Sequence, residues 1–90
     1  MVKNYRIHVI GKVQGVWFRK YTEEAALSYH VRGIVKNEID GSVYIEAEGE
    51  EKDLNSFLQW LQKGSPLSTV EQVKWEEGLI KGFAEFKISR

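Results

Sequence analysis

Arg19, Asn37 and two glycines four residues apart, Gly11 and Gly15, are the residues of this chain whose types and spacing suit chemistry. The stretch Gly11-Lys12-Val13-Gln14-Gly15-Val16-Trp17-Phe18-Arg19 leaves an alternating segment and enters one with helical spacing, so it is expected to be a strand-to-helix turn. Glycines in such a turn accept positive φ and let the backbone come close to a ligand. A turn into a helix start also points unpaired N–H groups outward, with the positive end of the helix dipole behind them. That arrangement favours an anion, most often phosphate. Arg19 falls in the first helical turn, where its planar, permanently charged fork closes over phosphate oxygens. The spacing is neither G-x-G-x-x-G nor a Walker A loop. A Gly-rich connector followed by a solvated arginine has the same composition, so spacing alone leaves both readings open.

Asn37 is the partner expected across the site. It ends the second strand, and the first two strands run alike in a split βαβ unit, so their C-terminal ends share an edge. Its carboxamide carries a donor and an acceptor and suits holding a water molecule. The alternative is a turn asparagine that satisfies its own backbone. No cysteine, serine or aspartate near the loop is placed as a nucleophile, which disfavours a covalent phosphoenzyme. Such a site suits attack of water on phosphorus with a leaving group that departs without a proton. A carboxylate is that kind of group, because carboxylic acids are ionised near neutral pH. An acyl phosphate therefore asks for positioning and charge stabilisation more than for acid–base catalysis.

The elements that must position these residues follow from periodicity. Tyr5, Ile7 and Val9 alternate with Arg6, His8 and Ile10 as a first strand with one buried face. Phe18, Thr22, Ala25, Ala26 and Tyr29 recur at helical spacing as far as His30, which takes the left-handed position where a glycine is usual. Val31 to Lys36 is a second strand, Asp40-Gly41 marks a hairpin turn, and Val43, Ile45 and Ala47 alternate in a third strand ending at Gly49. Leu54, Phe57, Leu58 and Leu61 form an amphipathic helix that Gly64-Ser65-Pro66 stops. Val73 and Trp75 belong to a fourth strand from Val70; Ala84, Phe86 and Ile88 belong to a last one. The order β-α-β-β-α-β plus a short C-terminal strand predicts an α+β, ferredoxin-like split βαβ sandwich, with both helices on one face of an antiparallel sheet.

Composition narrows the class further. Ninety residues fit one domain spanning 1–90, with 42% hydrophobic and 29% charged residues. Thirteen acidic and thirteen basic residues give zero net charge, so there is no general pull toward nucleic acid or an anionic membrane. The absence of cysteine excludes disulfides and thiolate metal sites. No apolar run reaches membrane-span length and Met1 to Arg6 lacks a signal-peptide core, so a cytoplasmic protein is expected.

The chain resembles the acylphosphatase family over essentially its whole length. Val9 to Arg19 follows that family's first signature at every defined position, and Gly33…Asn37…Gly41…Val43…Gly49 follows the spacing of its second. Gly64-Ser65-Pro66 is also similar to the family's pattern. The resemblance implies hydrolysis of an acyl phosphate to carboxylate and inorganic phosphate, by direct attack of water and without metal or organic cofactor. It implies that Arg19 binds phosphate together with backbone amides of Gln14, Gly15, Val16, Trp17, Phe18 and Arg19, and that Asn37 orients the water. It further implies that the substrate itself accepts the proton. Inorganic phosphate is then a product or inhibitor. Ile34 stands where the second signature has an aromatic residue, and Trp17, at a variable position, flanks the pocket or stands exposed.

Two other classes compete. A non-catalytic module that binds acyl or carbamoyl phosphate, or docks a partner, would use the same fold, although it has less reason to keep both Arg19 and Asn37. An RNA-binding module is disfavoured. Lys81-Gly82-Phe83-Ala84 begins like an RNP1 pattern, but Glu85 stands where an aromatic residue should stack, on the wrong strand and without basic charge. His8 and His30 are expected at the surface, and nothing in the sequence predicts an oligomer, so a monomer is expected.

Overall fold

The computed structural model describes residues 1–89. Five strands and two helices follow one another as β1 (Val2–Lys12), α1 (Phe18–Ser28), β2 (Arg32–Asn37), β3 (Val43–Glu50), α2 (Glu51–Lys63), β4 (Thr69–Gly78) and β5 (Phe86–Ile88). The sheet order is β4-β1-β3-β2-β5. β1 lies antiparallel to both β3 and β4, and β2 antiparallel to β3, so β1 and β2 point the same way and end at one edge. β5 departs from the wholly antiparallel sheet predicted above. It pairs parallel to β2 through Gly33, Ile34 and Val35, because residues 79–85 cross the sheet before it begins. Ala84 lies outside it. The architecture is the ferredoxin-like α+β sandwich, with a mixed sheet.

The alternating residues of the central strands make the core. Tyr5, Ile7 and Val9 of β1 stand opposite Ala47, Ile45 and Val43 of β3, and all six are buried beneath the helices. α1 buries Phe18, Thr22, Ala25 and Ala26, and α2 buries Leu54, Phe57, Leu58 and Leu61, as their spacing requires. Truncating any one of the α2 anchors to alanine is worth about 2–5 kcal/mol. α1 ends in a Schellman arrangement: the Val31 N–H donates to the Ala26 carbonyl at 2.8 Å and the His30 N–H to Leu27 at 3.3 Å. His30, at φ 60°, occupies the left-handed position expected for it. α2 carries Glu51 and Asp53 in its first turn and Lys63 in its last, matching its dipole.

One sequence expectation needs correction. Gly11 belongs to β1 rather than to the ligand turn. It sits at φ 141° where the β1–β4 register shifts, and a Cβ there would run into the Thr69 carbonyl oxygen. Its requirement is close strand approach at a bulge, not approach to a ligand. Trp75 is nearly half exposed (46%), lying over the Tyr5 ring at the sheet edge with centroids 4.4 Å apart.

Candidate active site

The loop between β1 and α1 turns at Gly15 (φ 72°) and again at Trp17 (φ 62°), with φ negative at Val16 and Phe18. Alternating signs of φ turn successive N–H groups toward one concavity, the geometry of an anion nest. An aromatic residue held in the left-handed region is a costly choice, and such strain clusters at binding sites. Trp17 is also the N-cap of α1. It provides no side-chain cap, and the first helical turn contains no acidic residue. Neither the N-cap side chain nor a first-turn carboxylate therefore caps the N-terminal amides. Val13 and Phe18 are buried on either side of the loop and anchor it to the core, with Val16 packed against the same cluster.

Arg19 lies in the first turn of α1, partly buried, and donates through Nη1 to the Ser89 carbonyl oxygen at 3.3 Å. Asn37 is the last residue of β2, opposite Val43. The topology brings both to one cleft of about 460 Å³, where they line the wall together with Gly15, Trp17, Phe18 and Ile88. Val13 and Lys20 complete the lining. The Asn37 Oδ1 atom is buried and accepts no hydrogen bond from the described residues. A buried acceptor without a partner is costly unless something donates to it. Among the described residues the lining set contains a guanidinium, a carboxamide and one amine, but no carboxylate, imidazole, thiol or hydroxyl.

Trp17 therefore flanks the cleft and is exposed at once (74%). The side chains of Gln14 and Val16 do not line it. Gln14 instead extends its side chain to the β2–β3 turn, where Nε2 donates to the carbonyl oxygens of Glu38 and Ser42. Asp40 holds that turn closed by accepting from the Ser42 hydroxyl at 2.6 Å and from the Ser42 N–H at 2.9 Å. These two bonds, side chain first, keep its carboxyl below the ordinary value.

Sequence reasoning missed a second polar cluster, on the sheet face opposite the helices. Glu46 and Glu48 alternate with the core residues of β3 yet are themselves buried, because residues 79–83 fold across them. Glu48 accepts the backbone N–H groups of Lys81, Gly82 and Phe83. Asn4 Nδ2 donates to Glu48 at 2.8 Å and to Glu46 at 3.0 Å, and Lys81 Nζ pairs with Glu46 at 2.8 Å. Burial alone raises both carboxyls, but these donors outweigh it and hold both below the ordinary carboxylate range. Lys81, Gly82 and Phe83, the start of the RNP1-like stretch, are thus committed to Glu48. The sequence signal was Asn4 itself, a polar residue directly preceding the buried alternation.

Comparison with known proteins finds relatives that span nearly the whole chain. The acylphosphatase family model matches residues 5–88. An acylphosphatase of Bacillus licheniformis is 49% identical over 86 residues, covering 94% of this chain and 96% of that protein. The crystal structure of acylphosphatase from Bacillus subtilis superimposes with TM-score 0.95 at 41% identity, covering 100% of both chains. An acylphosphatase structure from Coxiella burnetii gives 0.94 at 33% identity, covering 98% of this chain and 93% of its own. With matching residues spanning nearly the entire fold, the chain belongs to the acylphosphatase family.

Proposed function

We propose that this acylphosphatase cleaves the carboxyl–phosphate bond by direct, in-line attack of water on phosphorus, with no covalent intermediate. The loop amides from Gln14 to Arg19 and the Arg19 guanidinium hold the phosphoryl group and stabilise charge on its oxygens. The buried Asn37 Oδ1 accepts a hydrogen bond from the attacking water and aims it. The carboxylate leaves unprotonated, and a phosphate oxygen of the substrate takes the water's proton, so no protein base is needed. The observation that carries this reading is Asn37, which lines the same cleft as Arg19 and whose buried Oδ1 has no donor among the described residues.

Hydrolysis of an acyl thiophosphate made chiral at phosphorus with ¹⁶O and ¹⁷O, in ¹⁸O-labelled water, tests it. A single displacement inverts phosphorus and places the label in thiophosphate. Retention of configuration, or label in the carboxylate, overturns the mechanism. The zero net charge of the chain supports action without nucleic acid or an anionic membrane, and we propose that it acts as a single-domain monomer in the cytoplasm. Among the described residues no helix is long and apolar enough to cross a membrane.

A further inference from the structure

We infer that the Gln14 side chain is a positioning residue that couples the phosphate loop to Asn37. This rests on the reading of Asn37 given above. Gln14 Nε2 reaches 24 and 28 residues along the chain, donating to the Glu38 carbonyl at 2.7 Å and to the Ser42 carbonyl at 2.8 Å. Both partners are acceptors, so only the amide nitrogen fits there and the orientation of the group is fixed. The same two carbonyls close the turn: the Glu38 N–H donates to Ser42 at 2.8 Å and the Gly41 N–H to Glu38 at 3.2 Å. Gln14 therefore plugs the mouth of the turn that begins immediately after Asn37.

The coupling has a defined geometry. Gln14 belongs to the loop by its backbone and to the turn by its side chain. Asn37 belongs to β2, and its Oδ1 has no donor among the described residues to hold it. What sets the distance between the bound phosphoryl group and the Asn37 carboxamide is then the sheet behind them and Gln14 in front. Loss of the two bonds frees the turn and the end of β2 to drift, whereas the nest at Gly15 and Trp17 keeps its own backbone geometry. Phosphate binding should survive a change that turnover does not.

Gln14→Ala is expected to lower kcat about tenfold or more while the phosphate inhibition constant stays within about threefold of wild type. Gln14→Glu sets a carboxylate against two carbonyl oxygens, and protonation restores one donor. Its activity relative to wild type should therefore rise as the pH is lowered. A void or a loosened fold gives no such pH signature. Gln14→Ala with wild-type kcat, or with phosphate affinity falling in step with kcat, overturns the proposal, as does a flat Gln14→Glu ratio. If the wild-type chain itself bound phosphate without turnover, the hydrolytic reading would fall separately. The coupling would then be judged by the Asn37 side-chain amide resonances. A phosphate-induced shift lost in Gln14→Ala upholds it, and a shift that persists overturns it.

Discussion

Arg19 Nη1 donates to the Ser89 carbonyl oxygen across 3.3 Å, tying the first turn of α1 to the end of β5. The bond occupies one corner of the guanidinium and fixes its plane, leaving other N–H donors for an anion. Arg19→Ala should lower kcat/KM for benzoyl phosphate by about 10³-fold or more and abolish inhibition by phosphate. Arg19→Lys keeps the charge but not the fork, and should recover only part of the loss. Steady-state kinetics of both variants decide this. Turnover of Arg19→Ala within tenfold of wild type would remove the arginine from the mechanism.

Asn37→Ala should separate binding from chemistry. Its kcat should drop about 10²-fold or more, since a positioned group at the attacking water is lost. Phosphate inhibition should persist, because the nest and Arg19 are intact. Competitive inhibition measured alongside kcat tests the split, and a parallel loss of both would assign Asn37 to phosphate binding instead.

The Glu48 cluster sets the response to acid. Glu46 and Glu48 both have folded-state values below the usual 4.5, so each stabilises the fold fully above that value. Their contribution disappears as the pH falls through the lower, folded-state values. Thermal midpoints should therefore be flat near neutrality and fall steeply once the pH drops below the ordinary glutamate range. Glu48→Ala strands three N–H groups and should cost about 3 kcal/mol at neutral pH. Urea titrations at several pH values would show a shallower acid dependence in that variant, and an unchanged slope would count against the cluster.

Gly11 and Gly15 should fail in different ways. Gly11→Ala meets the Thr69 carbonyl at φ 141°, and should lose about 2 kcal/mol or more of stability. Gly15→Ala meets nothing within 4 Å, so only its φ of 72° resists, at about 1 kcal/mol. Its main effect should be weaker phosphate affinity, because the strain falls on the nest. Calorimetric melting with and without phosphate distinguishes the two, and Gly11→Ala melting like wild type would refute the bulge argument.

Local rules made much of the fold legible. Leu54, Phe57, Leu58 and Leu61 were readable because helix period and burial coincide, and His30 because a missing glycine at a helix end leaves few residues to take positive φ. Arg19 and Asn37 were placed at one edge by the parallel sense of β1 and β2 alone. What escaped was set by contacts distant in sequence. The burial of Glu46 and Glu48 depends on a segment more than 30 residues later, and alternation cannot reveal a lid over the polar face. Gly11 looked like a ligand glycine because its need, the backbone of β4, lies nearly 60 residues away. The Gln14 side chain was silent for the same reason: its partners are carbonyls, which every residue has.

The sheet order β4-β1-β3-β2-β5 also determines when the loop between β1 and α1 can take its shape during synthesis. β1 sits between β3 and β4, with Asn4 paired to Gly78 at one end and Lys12 to Thr69 at the other. The ribosome therefore releases Gly15, Arg19 and Asn37 long before β4 and β5, and Ile88 of the cleft wall emerges with the last strand. Contacts so distant in sequence make folding slow, because loop closure must come before their reward. The nascent chain carries Arg19 and Asn37 as a flexible tether, and the cleft takes shape only after the final strands emerge.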